Sequence, residues 1–371
     1  MRRLFSFLAF AIISSAYCND GMFYSNGGNL MPMKETSIEM QKEVLFLKRI
    51  PDGFEVNVYF EFYNPGETRD EIVGFVTPPS SDEAFMDEDL PGSVSRKGLP
   101  LRHPFINEFM VMVNGQLLPY EVARFDSTGF NSEVAGSESG FDYVYYFNVH
   151  FQHGKNIIQH HYIFKGFSSI YEERFNYRLT TGKMWSKDAI GDFELYIEAP
   201  ETYMRVPATF YNDNRPALWQ IMGIGKLADE NYAGWGNTFM RSGLLRFQSI
   251  NFAPDYDLTI TIPSQHIILE ELPKFNPGLE LPFMMDLLYT TDSEYEYDFE
   301  EYSNETIQML INYLYVKHGL LIKNEEAATI FKNCIWYIPD PNLKADQIQL
   351  SEQEQRILNA LVAERSKRKQ K

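Results

Sequence analysis

The sequence predicts a mostly β protein: an antiparallel β-sandwich-like domain followed by a small three-helix module at the C-terminus. Three observations point there. Apolar residues alternate with a period of two from Thr36 to about Pro263, turn signals punctuate that alternation, and after Tyr302 the period changes to 3.6. In "FEVNVYFEFY" Phe54, Val56, Val58, Phe60 and Phe62 share one strand face, with Glu55, Asn57, Tyr59 and Glu61 on the other.

The strand elements follow in order. "VLFLKRI" joins that strand through Pro51-Asp52-Gly53, where Pro presets φ and Gly accepts a positive one. "INEFMVMV" and "QLLPYEV" flank Asn114-Gly115, a strong signal for a two-residue hairpin. "FDYVYYFNVHF" and "NIIQHHYIF" flank Gln152-His153-Gly154-Lys155 and read as a third hairpin. "DFELYIEA" and "YDLTITIP" continue the alternation. Ser80 to Gly98 and the Ser/Gly-rich Ser127 to Gly140 read as loops. The expected organisation is a leader over 1–18, an all-β region over 19–290 built as one domain or two packed lobes, an acidic solvated linker over 291–303, and a helical domain over 304–371.

In the helical part, Ser303 or Asn304 caps a first helix whose stripe is Ile307, Leu310, Ile311 and Leu314, and Gly319 ends it. Asn324 opens a second helix, running to about Cys334. Ser351 and Glu354 form a capping box for a third, with Ile357, Leu358, Leu361 and Val362 inward and a basic end that suits the helix dipole.

The chain of 371 residues has a formal charge of -18, which repels phosphate backbones and argues against nucleic acid as a partner. A basic start and the short apolar run Leu4 to Ile13 resemble a signal peptide, being well short of the roughly 20 residues that span a bilayer. Cleavage between Cys18 and Asn19 fits Ala16 at the -3 position; the alternative is a lipoprotein anchored through Cys18. No later segment is apolar enough to cross a membrane. With the leader gone Cys334 has no disulfide partner, which suits a bacterial periplasm or cell surface.

Familiar chemistry is sparse. His150, His153, His160 and His161 lie close together, but a hairpin centred on His153-Gly154 spreads them, with His160 and His161 on opposite faces of the sheet; they read as surface histidines and no metal is expected. "GSESG" has Glu138 where a hydrolase elbow needs its serine, and His-Glu-x-x-His, Cys-x-x-Cys and phosphate-loop patterns are absent. Gly223 and Gly225 lack the third glycine of a dinucleotide site, the acidic run "TDSEYEYDFEEY" lacks the ligand spacing of a calcium loop, and no cofactor is expected. Cys334 beside Ile335 and Trp336 reads as a buried hydrophobe. Tyr143, Tyr145, Phe147, Val149 and Phe151 form a stripe that reads as sandwich core, with an aromatic glycan platform as the sharper alternative.

"NYLYVKHG", "FKNCIWYIPD" and "LSEQEQRILNALVAE" resemble the YARHG domain, a short exported bacterial module. Tyr315, His318, Gly319, Trp336 and Tyr337 match its pattern, Asn359 fills the late asparagine position, and Val316-Lys317 replace Ala-Arg, so that arginine carries over only as positive charge. "NDGMFYSNGGNLMPMKETSIEMQKEVLFLKR", "YNPGETRDEIVGF" and "YYFNVHFQHGKNIIQHHYIF" resemble a domain-of-unknown-function family of secreted bacterial envelope proteins. These resemblances imply an exported envelope protein; with catalytic motifs sparse, the expected type is non-catalytic, with a glycan, peptidoglycan or envelope protein as partner. Tyr315, Lys317, His318, Trp336 and Tyr337 are the candidate contact residues. The alternative is a hydrolase of envelope polysaccharide or peptidoglycan working through a carboxylate pair.

Overall fold

The computed structural model describes residues 21–26, 29–33, 37–51, 53–77, 102–103, 105–125, 142–165, 167–168, 172–228, 234–263, 298–332 and 334–369. The leader with Cys18 and Asn19, both Ser-rich loops and the first part of the acidic run lie outside these residues. In chain order the strands are β1 (Gly21–Asn26), β2 (Asn29–Met33), β3 (Glu39–Ile50), β4 (Gly53–Asn64), β5 (Arg69–Thr77), β6 (Ile106–Val113), β7 (Gln116–Leu118), β8 (Glu121–Phe125) and β9 (Asp142–Phe151). Then come β10 (Gly154–Phe164), β11 (Phe167–Ser168), β12 (Glu172–Tyr177), β13 (Ile190–Glu198), β14 (Thr202–Pro207), β15 (Gln220–Leu227), β16 (Trp235–Phe252) and β17 (Leu258–Pro263). The helices α1 (Asn304–Val316), α2 (Glu325–Lys332) and α3 (Glu352–Lys369) close the chain. The protein is mostly β with a small helical C-terminal module.

Five strands form one sheet in the order β2-β1-β5-β9-β8, and twelve form a second whose central and final stretch runs β13-β3-β4-β10-β6-β7. The β3–β4 hairpin turns where Pro51-Asp52-Gly53 predicts it, pairing Ile50 with Gly53. The β6–β7 hairpin uses Asn114 and Gly115 at φ 48° and 82°, the left-handed pair a two-residue turn demands. The third predicted hairpin is a correction: β9 pairs with β5 and β8 in the small sheet, while β10 pairs with β4 and β6 in the large one. The chain crosses between layers at His153-Gly154, because β9 and β10 each carry a largely apolar buried face that has to meet the opposite sheet.

Those inner faces interlock. Phe75 stacks on Phe109 at 5.6 Å between centroids, and Phe62 meets Phe151 edge-on at 6.0 Å and Trp185 at 4.4 Å. The stripe Tyr143, Tyr145, Phe147, Val149 and Phe151 is buried here, so it is core and not a platform. Beyond β13 the large sheet forks. β13 and β14 keep one register along the long β16, and the strand itself is broken between them around Glu201 with φ 50°; β13 takes β3 as its parallel neighbour and β14 takes β17. The β14 branch folds back over the β3–β4 end, where Phe175 meets Phe54 at 5.1 Å and Arg49 pairs with Glu173.

The helical module has its own core around Ile307, Leu310, Leu314, Phe331, Trp336 and Leu361, extended by Tyr203 and Phe239 from the sheet. Ser303 Oγ accepts the Thr306 N–H, Asn324 Oδ1 accepts that of Ala327, and Ser351 and Glu354 cap each other reciprocally. Two details depart from expectation. Val362 is exposed. The end of the acidic run is packed rather than solvated: Phe299 is buried, and the Arg368 guanidinium donates to the carbonyls of Phe299, Glu300 and Tyr302.

Candidate functional site

The outer face of the central sheet is where the alternating pattern leaves chemistry exposed. With the odd residues of β3 and the even residues of β4 and β10 turned into the core, the opposite positions line up in two rows. One row is Val44, Tyr59, Gln159, Met112 and Leu117; the next is Phe46, Asn57, His161 and Met110. Together they border an open groove of about 300 Å³. Met110 and Leu117 are 45% and 69% exposed, a large apolar contribution for a sheet surface.

Charge surrounds this groove but is neutralised in pairs. Lys42 Nζ lies 2.6 Å from both Asp192 Oδ2 and Glu194 Oε1, and Arg246 Nη2 reaches Glu194 Oε2 at 3.2 Å. The Lys42 contact, reinforced by the Tyr196 hydroxyl, holds the Glu194 carboxyl down at about 2, so it is ionised at any physiological pH. The Tyr59 hydroxyl donates to Glu61 Oε1 at 2.7 Å; burial and that bond push it up to about 12. Asn57 donates its amide N–H to Glu55 Oε1 at 3.5 Å, leaving its oxygen to accept from His161 Nδ1 at 3.0 Å. That network sets the His161 tautomer with the proton on Nδ1. The floor that remains is aromatic, thioether and amide.

A second cavity of about 550 Å³ lies at the sandwich end between β6 and β8, lined by Arg102, Glu108, Tyr120, Glu121 and Tyr145 among others. Glu108 is the extra residue of a bulge opposite Tyr162 and has φ 55°, which turns its exposed side chain away from the regular ladder. Glu121 accepts a hydrogen bond from the Tyr146 hydroxyl and is also exposed.

The five residues singled out in the helical module line neither cavity. Lys317 and His318 converge on Glu354: the lysine forms an ion pair with its Oε1, and His318 Nε2 lies 3.1 Å from the same oxygen. Burial alone would raise the Glu354 carboxyl, but the bonds from His318, Lys317 and the Ser351 N–H outweigh it and hold the group well below the usual carboxylate range. Trp336 is buried, edge-on to Tyr313 at 5.5 Å. The buried Tyr337 hydroxyl donates to Leu320 O at 3.4 Å and accepts the Ile322 N–H at 3.2 Å, while Tyr315 is half-buried beside the core. Gly319 has φ 97°, and a Cβ there would lie 2.0 Å from Arg241 Nη1, whose Nη2 donates to Lys317 O at 3.3 Å.

The histidine cluster disperses further than expected. His150 pairs with exposed Asp70 and His153 with Gly66 O, but His160 is fully buried and not a surface residue, because β10 turns its even positions inward. Among the described residues no group of three or more His, Cys, Asp and Glu side chains is placed to hold a metal ion. Nor is any described helix long and apolar enough to cross a membrane. Sequence reading missed the groove, although Tyr59, standing in the nominally polar face of "FEVNVYFEFY", was a signal for it.

No family model matches the chain, and no curated protein does. Among solved structures it is similar to a Legionella pneumophila protein provisionally named a nutrient binding protein, at 14% identity and a TM-score of 0.49, covering 94% of this chain and 98% of that one. It is also similar to an M1 zinc metallopeptidase of Deinococcus radiodurans, at 9% identity and a TM-score of 0.26, covering 62% of this chain and 43% of that one. Likenesses this distant transfer no function.

Proposed function

We propose that this protein is an exported bacterial cell-envelope protein that binds a glycan strand, without catalysis, on the outer face of its central sheet. The observation that carries the reading is the groove itself. Phe46 and Tyr59 offer rings for the apolar face of a sugar, Asn57, Gln159 and His161 offer hydrogen bonds to its hydroxyls, and Lys42 balances the Asp192 and Glu194 charges at the edge. Peptidoglycan is the glycan an envelope protein meets. The leader-like residues ahead of Asn19 support export.

Co-sedimentation of the purified protein with peptidoglycan tests this. Tyr59→Ala is expected to weaken retention about tenfold, equivalent to about 1.4 kcal/mol, whereas Tyr59→Phe keeps the ring and retains binding. Equal retention of all three proteins, or none by the parent, sinks the glycan reading.

The cavity holding Glu108 and Glu121 favours one second reading, a hydrolase of envelope polysaccharide. Release of reducing ends from peptidoglycan, abolished by Glu108→Gln or Glu121→Gln, would establish it.

A further inference from the structure

The groove contains two soft thioether donors that the histidine-and-carboxylate logic of common metal sites does not count, beside one imidazole. Met110 and Met112 alternate on β6 and both face outward. On the neighbouring strand His161 stands directly opposite Met110, and Gln159 opposite Met112. Directly opposed side chains of an antiparallel pair start about 5 Å apart at Cβ and diagonal ones about 7–8 Å, distances that two flexible thioether arms and an imidazole can close around one ion.

The histidine is already oriented for the task. Its Nδ1–H donates to Asn57 Oδ1 at 3.0 Å, and Asn57 is held in turn by Glu55. Nε2 therefore carries the lone pair, and the Glu55–Asn57–His161 chain is the kind of outer-shell support that fixes tautomer and ring plane in metal-ligating histidines. Glu55, 4.0 Å from His161 Nδ1, adds negative charge beneath the ring, in a chain whose formal charge is -18.

The geometry points to Met110, Met112 and His161 as a binding site for a soft monovalent cation, Cu(I), with Ag(I) as its redox-stable equivalent. Two neutral thioethers with one imidazole select such an ion; Zn(II) also takes imidazole but completes its shell with thiolate, carboxylate or water rather than thioether, and Ca(II) and Mg(II) prefer oxygen ligands. The competing role for an outward-facing methionine pair, exposed at Met110 and half-buried at Met112, is an adaptable apolar contact, which any leucine could replace.

The test uses the full chain with both thiols removed (Cys18→Ser and Cys334→Ala), because a thiolate would capture the same ions. Silver nitrate is titrated while the methionine methyl resonances are followed. Two methyls, assigned as Met110 and Met112 by their loss in the leucine variants, are expected to shift and saturate at one equivalent. Met110→Leu with Met112→Leu is expected to weaken binding at least 100-fold, and His161→Gln at least tenfold. Asn57→Leu, a positioning residue, should weaken it by about tenfold while leaving the two methyl shifts in place. Shifts scattered over other methionines, an affinity indifferent to the double variant, or equal competition by Zn(II) would overturn the site. Peptidoglycan retention is measured separately with and without silver, so failure of either proposal leaves the other standing.

Discussion

Lowering the pH from 7.5 to 4.5 is expected to remove about 2–3 kcal/mol of folding stability through His160 alone, and His160→Leu is expected to abolish that loss. The ring lies in the sandwich core with centroids 5.5 Å from Phe60, 5.3 Å from Phe75, 5.4 Å from Phe109 and 5.7 Å from Phe147. Burial pushes its pKa down to about 3. In the unfolded chain a histidine titrates near 6.5. Between those values the unfolded chain takes up a proton that the folded one refuses, so stability is intact above about pH 6.5 and falls as pH drops toward 3. Each pH unit within that window is worth about 1.4 kcal/mol. Urea unfolding of both proteins at the two pH values isolates the effect, since the other titrating groups are common to them. Parallel losses in parent and variant would show that His160 accepts its proton without unfolding.

How far the sequence was legible depends on the range of the interaction that decides each feature. Local rules placed the Pro51-Asp52-Gly53 and Asn114-Gly115 turns, the Ser303 and Ser351 caps and the Gly319 helix end, because each depends on a few neighbouring residues. Alternation identified β9 and β10 as strands but not their partners. A short connection such as Gln152-His153 serves equally for a hairpin or for a crossing between layers, and only the packing of Phe147 and Phe151 against the other sheet decides. The same error put His160 on the surface. The groove was invisible for a related reason: it is assembled from β3, β4, β6, β7 and β10, spread from Val44 to His161, and only the register makes their side chains neighbours. Of the candidate contact residues in the helical module, His318 finds its partner in Glu354, which lies 36 residues further on and beyond the reach of any local rule.

Replacing Glu354 is expected to loosen the helical module while leaving the sandwich intact. The carboxylate is the meeting point of three groups from two helices: the Lys317 ammonium and His318 ring at the end of α1, and the Ser351 N–H that opens α3. Glu354→Ala would leave a partly buried lysine without its counter-ion and undo half of the reciprocal cap, together about 2–4 kcal/mol. The sign of the pH dependence follows from the direction of the shift. A carboxyl held below its unfolded value contributes stability above about pH 4.5 and loses it as acid protonates the folded form. Amide exchange by mass spectrometry separates the two units: α1 and α3 should exchange about 30- to 1,000-fold faster in Glu354→Ala, while β4 and β10 stay protected. Gly319→Ala should act in the same direction through a different cause, a positive φ and a methyl group driven into the Arg241 guanidinium. If α1 keeps its protection in both variants, the Lys317-His318-Gly319 turn does not hold the module together.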